Sequence, residues 1–198
     1  MRPQMAIIME NTLSAMALRM LLVDIVGDNV DVVCYSTLDD FRSSEGVVTP
    51  HLFVSADAVF RNPNYFREHV RRTIVITEGD AQSFIQSGFH TIDAKSSEQS
   101  IARQILNIRH AGHPSEGNVH PEHGRVSHLP TLLSQREQEV LALLVKGYIN
   151  KEVAERLNIS LATVIFHRNN ISEKLQTRSL GRMTIYAVLN NIVSLSEL

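Results

Sequence analysis

Asn150-Lys-Glu-Val-Ala-Glu-Arg-Leu-Asn-Ile-Ser-Leu-Ala-Thr-Val-Ile-Phe-His-Arg-Asn-Asn-Ile-Ser-Glu-Lys-Leu175 reads as two helices with a tight break between them. Asn150 can cap the first, whose inner face is Val153, Ala154 and Leu157. Asn158 tolerates the left-handed backbone that often ends a helix. Ser160 can cap the second helix by accepting from a free N–H of its first turn. Val164, Ile171 and Leu175 recur at intervals of seven and four, the period of one buried helical face. A short helix, a tight turn and a longer helix with a half-polar face point to a helix-turn-helix, whose second helix enters the DNA major groove.

The flanks extend this unit. Leu133-Ser134-Gln135-Arg136-Glu137 contains Ser-x-x-Glu, a capping box in which each side chain satisfies the other residue's N–H. The helix it opens turns Val140, Leu141, Leu144 and Val145 inward and ends at Gly147. After Gln176-Thr177-Arg178-Ser179 a fourth helix is expected over Leu180–Ile192, with Ile185, Val188, Leu189 and Ile192 at helical spacing. Leu133–Gly147, Asn150–Ser160, Thr163-Val164, His167, Asn170-Ile171 and Lys174-Leu175 together resemble the LuxR/NarL-type DNA-binding domain. The resemblance implies a bacterial transcription regulator and an all-α, four-helix helix-turn-helix domain. It also implies pairing of two copies through the fourth helix by Ile185, Val188, Leu189 and Ile192, although packing inside the module must take part of that stripe. A two-fold dimer requires a pseudo-palindromic double-stranded DNA site. RNA polymerase is a further candidate partner.

At 100° per residue, the side of the second helix opposite Val164, Ile171 and Leu175 presents Ala162, Phe166, Asn169 and Glu173, flanked by Ile165 and Asn170. Asn169 can make a bidentate contact with adenine, and Phe166 or Ile165 can touch a thymine methyl. Family members often carry Lys or Arg where Ile165 stands, so an A·T-leaning half-site is expected. Lys151, His167, Arg168 and Lys174 are candidates for phosphate contacts, which position the module without specifying sequence. Thr163 completes the interface expected from the motif. Phe166 has a second reading as a core contact, Asn169 as plain surface, and His167 as a packing residue.

Residues 1–110 alternate strand-like and helix-like runs, the pattern of an α/β domain with a parallel sheet. Strands are expected at Ala6–Met9, Val30–Tyr35, Leu52–Val54, Ile74–Ile76 and Thr91–Ile92. Helices are expected at Leu13–Ile25, Leu38–Ser44, Tyr65–Arg72, Ala81–Ser87 and Ser100–His110. Five strands each followed by a helix make a flavodoxin-like sheet with its chemistry at the carboxyl ends of the strands. Those ends resemble, in part, the receiver domain of bacterial response regulators. Thr77 and Lys95 match the receiver's Ser/Thr and Lys. Glu10-Asn11 stands where a receiver has two acids, so the magnesium site should be weakened. The phosphoacceptor position falls on Ala56, with Asp57 one residue later, and a one-residue slip turns a side chain to the opposite face of a strand. A degenerate receiver, not relying on phosphorylation of Asp57, is the expectation. Thr77 and Lys95 also read as a strand-end hydroxyl and a solvated lysine.

Between the two domains, residues 111–130 gather Gly, Pro and His without hydrophobic periodicity and read as a linker. His113, His120 and His123 raise a minor alternative, a metal- or haem-responsive sensor, but their spacing matches no closed metal site. No cofactor is otherwise expected. The 198 residues carry 19 Lys+Arg against 21 Asp+Glu. Residues 131–198 hold 8 against 6 and residues 1–110 hold 10 against 13, so the charge leans basic only in the expected DNA-binding part. Cys34 is alone, which excludes an intrachain disulfide, and its apolar neighbours predict a small buried side chain. No apolar run is long enough to span a bilayer and the N-terminus is no secretory signal, so a cytoplasmic location is expected. An enzyme is not expected, because no Gly-rich phosphate loop follows strand one and no nucleophile has an evident partner.

Overall fold

The computed structural model describes residues 4–27, 30–44, 49–79, 81–111 and 133–198. Five parallel strands, β1 (Gln4–Ile8), β2 (Asp31–Tyr35), β3 (Leu52–Ser55), β4 (Thr73–Thr77) and β5 (His90–Asp93), lie in the order β2-β1-β3-β4-β5. This is the flavodoxin-like order, with the helices on both faces of the sheet. α1 (Thr12–Val26) and α6 (Glu98–Ala111) cover one face over Ile7, Phe53, Ile74 and Ile92. On the other face lie α2 (Leu38–Ser43), α3 (Ala56–Arg61), α4 (Pro63–Glu68) and α5 (Gln82–Gln86), over Ala6, Ile8, Val54 and Val75. Alternate residues of each strand thus feed two separate cores, as a doubly covered parallel sheet requires.

The C-terminal domain is all helical: α7 (Gln135–Val145), α8 (Asn150–Leu157), α9 (Leu161–Lys174) and α10 (Leu180–Leu189). Its core gathers Val140, Leu141, Leu144, Val153, Val164, Ile171, Leu175 and Ala187. Ser134 and Glu137 form the expected capping box. Gly147, at φ 92°, makes the left-handed turn after α7. Asn158 ends α8 in the left-handed conformation at φ 51°. Ser160 Oγ caps α9 by accepting from Thr163 N–H at 3.0 Å.

Four expectations are corrected. Asn150 is not a cap but the first helical residue, and its Oδ1 accepts from Arg168 Nη1 at 3.1 Å. The free N–H of Ile149 is taken by the Glu152 carboxylate at 2.8 Å instead. A helix not anticipated from periodicity, α3, begins directly after β3, because Ser55 Oγ accepts from Ala58 N–H and closes a first turn at once. Cys34 is exposed, since β2 is an edge strand flanked on one side only. The stripe on the fourth helix does not face outward. Ile185 and Leu189 pack into the sheet domain's core, while Val188 and Ile192 pack into the helical domain's own. A spacing of four keeps Ile185 and Leu189 on one side, and the step from 185 to 188 rotates Val188 away toward α7.

α10 is therefore the joint between the domains. Arg67 of α4 donates from Nη1 to Leu189 O at 3.1 Å and to Asn190 Oδ1 at 2.6 Å. Asn190 Nδ2 donates to Ser87 Oγ at 2.9 Å, and Ser83 Oγ to Arg182 O at 3.3 Å. Gln86 Nε2 donates to Leu175 O, at the C-terminal end of α9, at 2.7 Å. Phe60 of α3 touches both cores and stacks obliquely on Phe84, centroids 5.4 Å apart. Leu189→Ala is expected to weaken docking of the domains by about 2–5 kcal/mol. Calorimetry should then resolve two unfolding transitions where the wild type shows one, and scattering should report a larger radius of gyration. An unchanged single transition would contradict this account of the joint.

Candidate nucleic-acid interface

α9 is built to be seated on one side and bare on the other. Val164, Ile171 and Leu175 are 0–1% exposed, and they fix the rotation of the helix about its axis. That rotation leaves Phe166 61% exposed and Ile165 43% exposed, with Ala162, Asn169 and Glu173 exposed beside them. Phe166 is thus not a core residue. An exposed Phe next to Asn169 offers an apolar wedge and an amide on one convex surface, the two chemistries that read thymine methyls and adenine edges. His167 is half-buried, and its ring lies 5.8 Å from that of Phe166.

The remaining sequence candidates divide by what holds them. Lys151 is exposed at the start of α8. Arg168 is exposed and anchored by Asn150, which aims its guanidinium along the α8 edge. Asn170 is half-buried beside Ile171. Thr163 Oγ1 shares a hydrogen bond with Ser160 Oγ at 2.8 Å, so its hydroxyl belongs to the cap. Lys174 departs from the expected phosphate role: its ammonium binds Glu137 Oε2 at 2.7 Å and ties the end of α9 to the start of α7. Lys151 and Arg168 border a cleft of about 560 Å³ together with Arg178, over a floor that includes Leu144, Leu161, Ile165 and Met183. Arg178 was not singled out from the sequence. Its only signal there is a cation in the turn before α10, and its relevance depends on where that turn folds back.

Residues 131–187 match the family model of bacterial regulatory proteins, luxR family. The C-terminal domain is a luxR-family domain. Over 62 residues the chain is 42% identical to the oxygen regulatory protein NreC of Staphylococcus carnosus, and over 62 residues 39% identical to the response regulator VraR of Staphylococcus aureus. The matched segment is 31% of this chain and 29–30% of the length of those relatives. The fold of the whole chain has counterparts at low identity. A structure of RcsB from Salmonella enterica serovar Typhimurium bound to promoter P1flhDC covers 96% of this chain and 100% of that one, at TM-score 0.66 and 15% identity. A structure of two RcsB dimers bound to two parallel DNAs covers 94% and 98%, at 0.62 and 16%. These support the fold alone: a receiver-like sheet followed by the luxR-family domain.

In the sheet domain each receiver-like residue has a local setting of its own. Asp57 lies in the first turn of α3, two residues past the end of β3. Arg61, four residues on, forms an ion pair with Glu10 and approaches Asp57 at 3.5 Å, so one guanidinium joins an acid after β1 to an acid after β3. Asn11 is the N-cap of α1, accepting from Ser14 N–H at 3.1 Å. Thr77 is buried, and its hydroxyl donates to Ile92 O at 3.4 Å. Lys95 is exposed, and its backbone N–H donates to Asp93 Oδ1. Magnesium needs several free oxygens in near-octahedral array. Here the carboxylates already hold a cation and the amide is a helix cap, so this donor set does not fit the ion. His113, His120 and His123 lie outside the described residues. Among the described residues no cluster of His, Cys, Asp or Glu is gathered for a metal, and no helix is long and apolar enough to cross a membrane.

Glu137 links the reading helix to the rest of its domain. Burial pushes its carboxyl pKa up, but Lys174 together with the N–H and hydroxyl of Ser134 outweighs this, and the net result lies below the ordinary value of 4.5. A group lowered in the folded state contributes stability above its unfolded pKa and loses it as pH falls through the folded one. Glu137→Gln is expected to lower stability by about 1–3 kcal/mol at neutral pH. In denaturant titrations, the gap from wild type should close as pH falls below 4.5. A gap that stays constant down to pH 3 would show that the carboxylate charge contributes nothing.

Proposed function

We propose that this chain is a sequence-specific DNA-binding transcription regulator that acts as a homodimer on a pseudo-palindromic, A·T-leaning site. The observation that carries this is the rotational setting of α9: its opposite face is sealed, and Ile165, Phe166 and Asn169 stand exposed together. The cations Lys151, Arg168 and Arg178 line the cleft to which Ile165 contributes, where they would meet backbone phosphates. RcsB, whose fold this chain shares, is described bound to DNA as dimers, which supports the same partner and stoichiometry here. Base readout rests on Asn169 with apolar contact from Phe166 and Ile165.

The sheet domain, on this reading, is a receiver that does not rely on phosphoryl transfer. Arg61 places a fixed positive charge between Glu10 and Asp57, where a receiver would carry a removable one. These groups are exposed, so the ion pairs add little stability. Their significance is positional, because Asp57 is held by Arg61 and belongs to a helix rather than a strand end.

Two measurements test the proposal. Asn169→Ala should weaken binding to a site selected from random duplexes by about 1–3 kcal/mol and relax preference at one base pair, whereas Lys151→Ala should weaken all sequences alike and reduce the salt slope by about one. Equal loss on every sequence for Asn169→Ala would remove it from base readout. Incubation with acetyl phosphate and magnesium should leave intact mass and DNA affinity unchanged. A phosphoryl adduct on Asp57 would refute the receiver reading.

A further inference from the structure

The cleft beside α9 holds more apolar surface than a DNA contact uses. All four helices of the luxR-family domain line it, around a volume of about 560 Å³. Leu144 and Met183 are its buried lining. Ile149, Leu161, Ile165 and Leu180 stand around it, exposed at 63%, 48%, 43% and 47%. Lys151, Arg168 and Arg178 are exposed in the same lining, and no Asp or Glu is among the described residues there. Backbone phosphates account for the three cations. They do not account for Ile149, Leu161 and Leu180, because phosphates are met by hydrogen-bond donors and not by aliphatic side chains.

We infer that the cleft binds a free long-chain carboxylate, with the acyl chain against Leu161, Leu180 and Met183 and the head group on Lys151, Arg168 and Arg178. A concave, largely apolar site with a few convergent polar groups is the form small-molecule sites take, and 560 Å³ lies within their usual range of about 300–1,000 Å³. A protein partner calls instead for roughly 800 Å² from each side, and a membrane is met by a projecting apolar face rather than a hollow. Arg168 is already steadied for the role. Asn150 Oδ1 accepts from its Nη1 at 3.1 Å, which leaves the other guanidinium N–H groups for a carboxylate.

The site has a consequence for DNA, and that part rests on the DNA-binding reading above. Ile165 belongs both to the cleft and to the reading face of α9, and Lys151 and Arg168 are candidates for phosphate contacts. A bound carboxylate takes up those cations and covers Ile165. Ligand and DNA therefore exclude one another, and each weakens the other's binding by the same factor.

The test uses the full chain with decanoate below its micelle threshold, and with hexanoate and 1-decanol as comparisons. Decanoate should shift the amide resonances of Gly147, Leu161 and Leu180, and at saturation raise the dissociation constant for a selected duplex about tenfold or more. Hexanoate is four methylenes shorter and should need at least tenfold higher concentration, since each buried methylene is worth about fourfold. 1-Decanol, which lacks the charge, should leave DNA affinity unchanged. Leu180→Ser should keep wild-type DNA affinity and need about fivefold more decanoate for the same effect, with thermal melting to check that it folds. Equal potency of 1-decanol, or Leu180→Ser as sensitive as wild type, would overturn the inference. Amide shifts that avoid the cleft would do the same. Shifts at these amides that grow with protein concentration alone would give the cleft to a second copy. If the chain selects no duplex, the DNA-binding reading fails while the amide shifts still decide the site. Decanoate seated in the cleft with DNA affinity unchanged would overturn the competition.

Discussion

Arg67 holds the carboxyl end of α10, and through it the relation between the two domains. The last carbonyls of a helix lack intrahelical partners and carry the negative end of its dipole. A guanidinium on Leu189 O and Asn190 Oδ1 satisfies both needs with charge-assisted bonds. Beside it Leu189, a residue of the luxR-family domain, is counted among the core of the sheet domain at 1% exposure. Breaking this joint would expose Leu189 and leave Ser83 and Ser87, both buried now, to find water. The arrangement also reaches the reading helix, because Gln86 takes the carbonyl of Leu175 at the end of α9. The surface offered to DNA is thus positioned by the sheet domain as well as by its own core.

Much of this was legible in the residues. The periodicity of Val164, Ile171 and Leu175, the capping box at Ser134 and the left-handed Asn158 each have a local cause, and local causes are visible in sequence. All five expected strands are present, with shifts of one or two residues at their ends. What sequence concealed was mostly a matter of partners distant along the chain. Lys174 looks like any basic residue near a reading face until α7 brings Glu137 to it. Ile185 and Leu189 look like a dimer stripe until α4 and α5 cover them. The helix after β3 was missed because its six residues, Ala56–Arg61, are too few to display a period and its start depends on the Ser55 hydroxyl. Arg61 had a signal that went unread, an i, i+4 pair with Asp57, and only the fold adds Glu10.

α3 joins two otherwise separate features. One side carries Asp57 and Arg61 near the strand ends, and Phe60 on the same helix packs against the cores of both domains. A phosphoacceptor pocket changes its charge when it works, and such a change can bias a neighbouring helix. Arg61 already lies between Glu10 and Asp57, on the same short helix as Phe60. An input that moves α3 would also move Phe60, and with it the contact between the two cores.

A docked pair of domains changes what dimerisation can specify. Where DNA-binding modules hang on loose tethers, the receivers can pair in any geometry and the modules still find half-sites at many separations. Here Leu189, Arg67, Gln86 and Phe60 fix the module against the sheet, so pairing anywhere on the sheet domain also sets the distance and direction between two α9 helices. Half-sites one turn of DNA apart, about 34 Å, demand one such geometry. A pairing surface on the sheet domain would therefore act as a ruler for the operator, and loosening the α10 joint would blunt spacing selectivity before it reduced affinity for a single half-site. The apolar surface of α10 is consumed inside the chain. That is what would make the position of a second copy informative about the DNA.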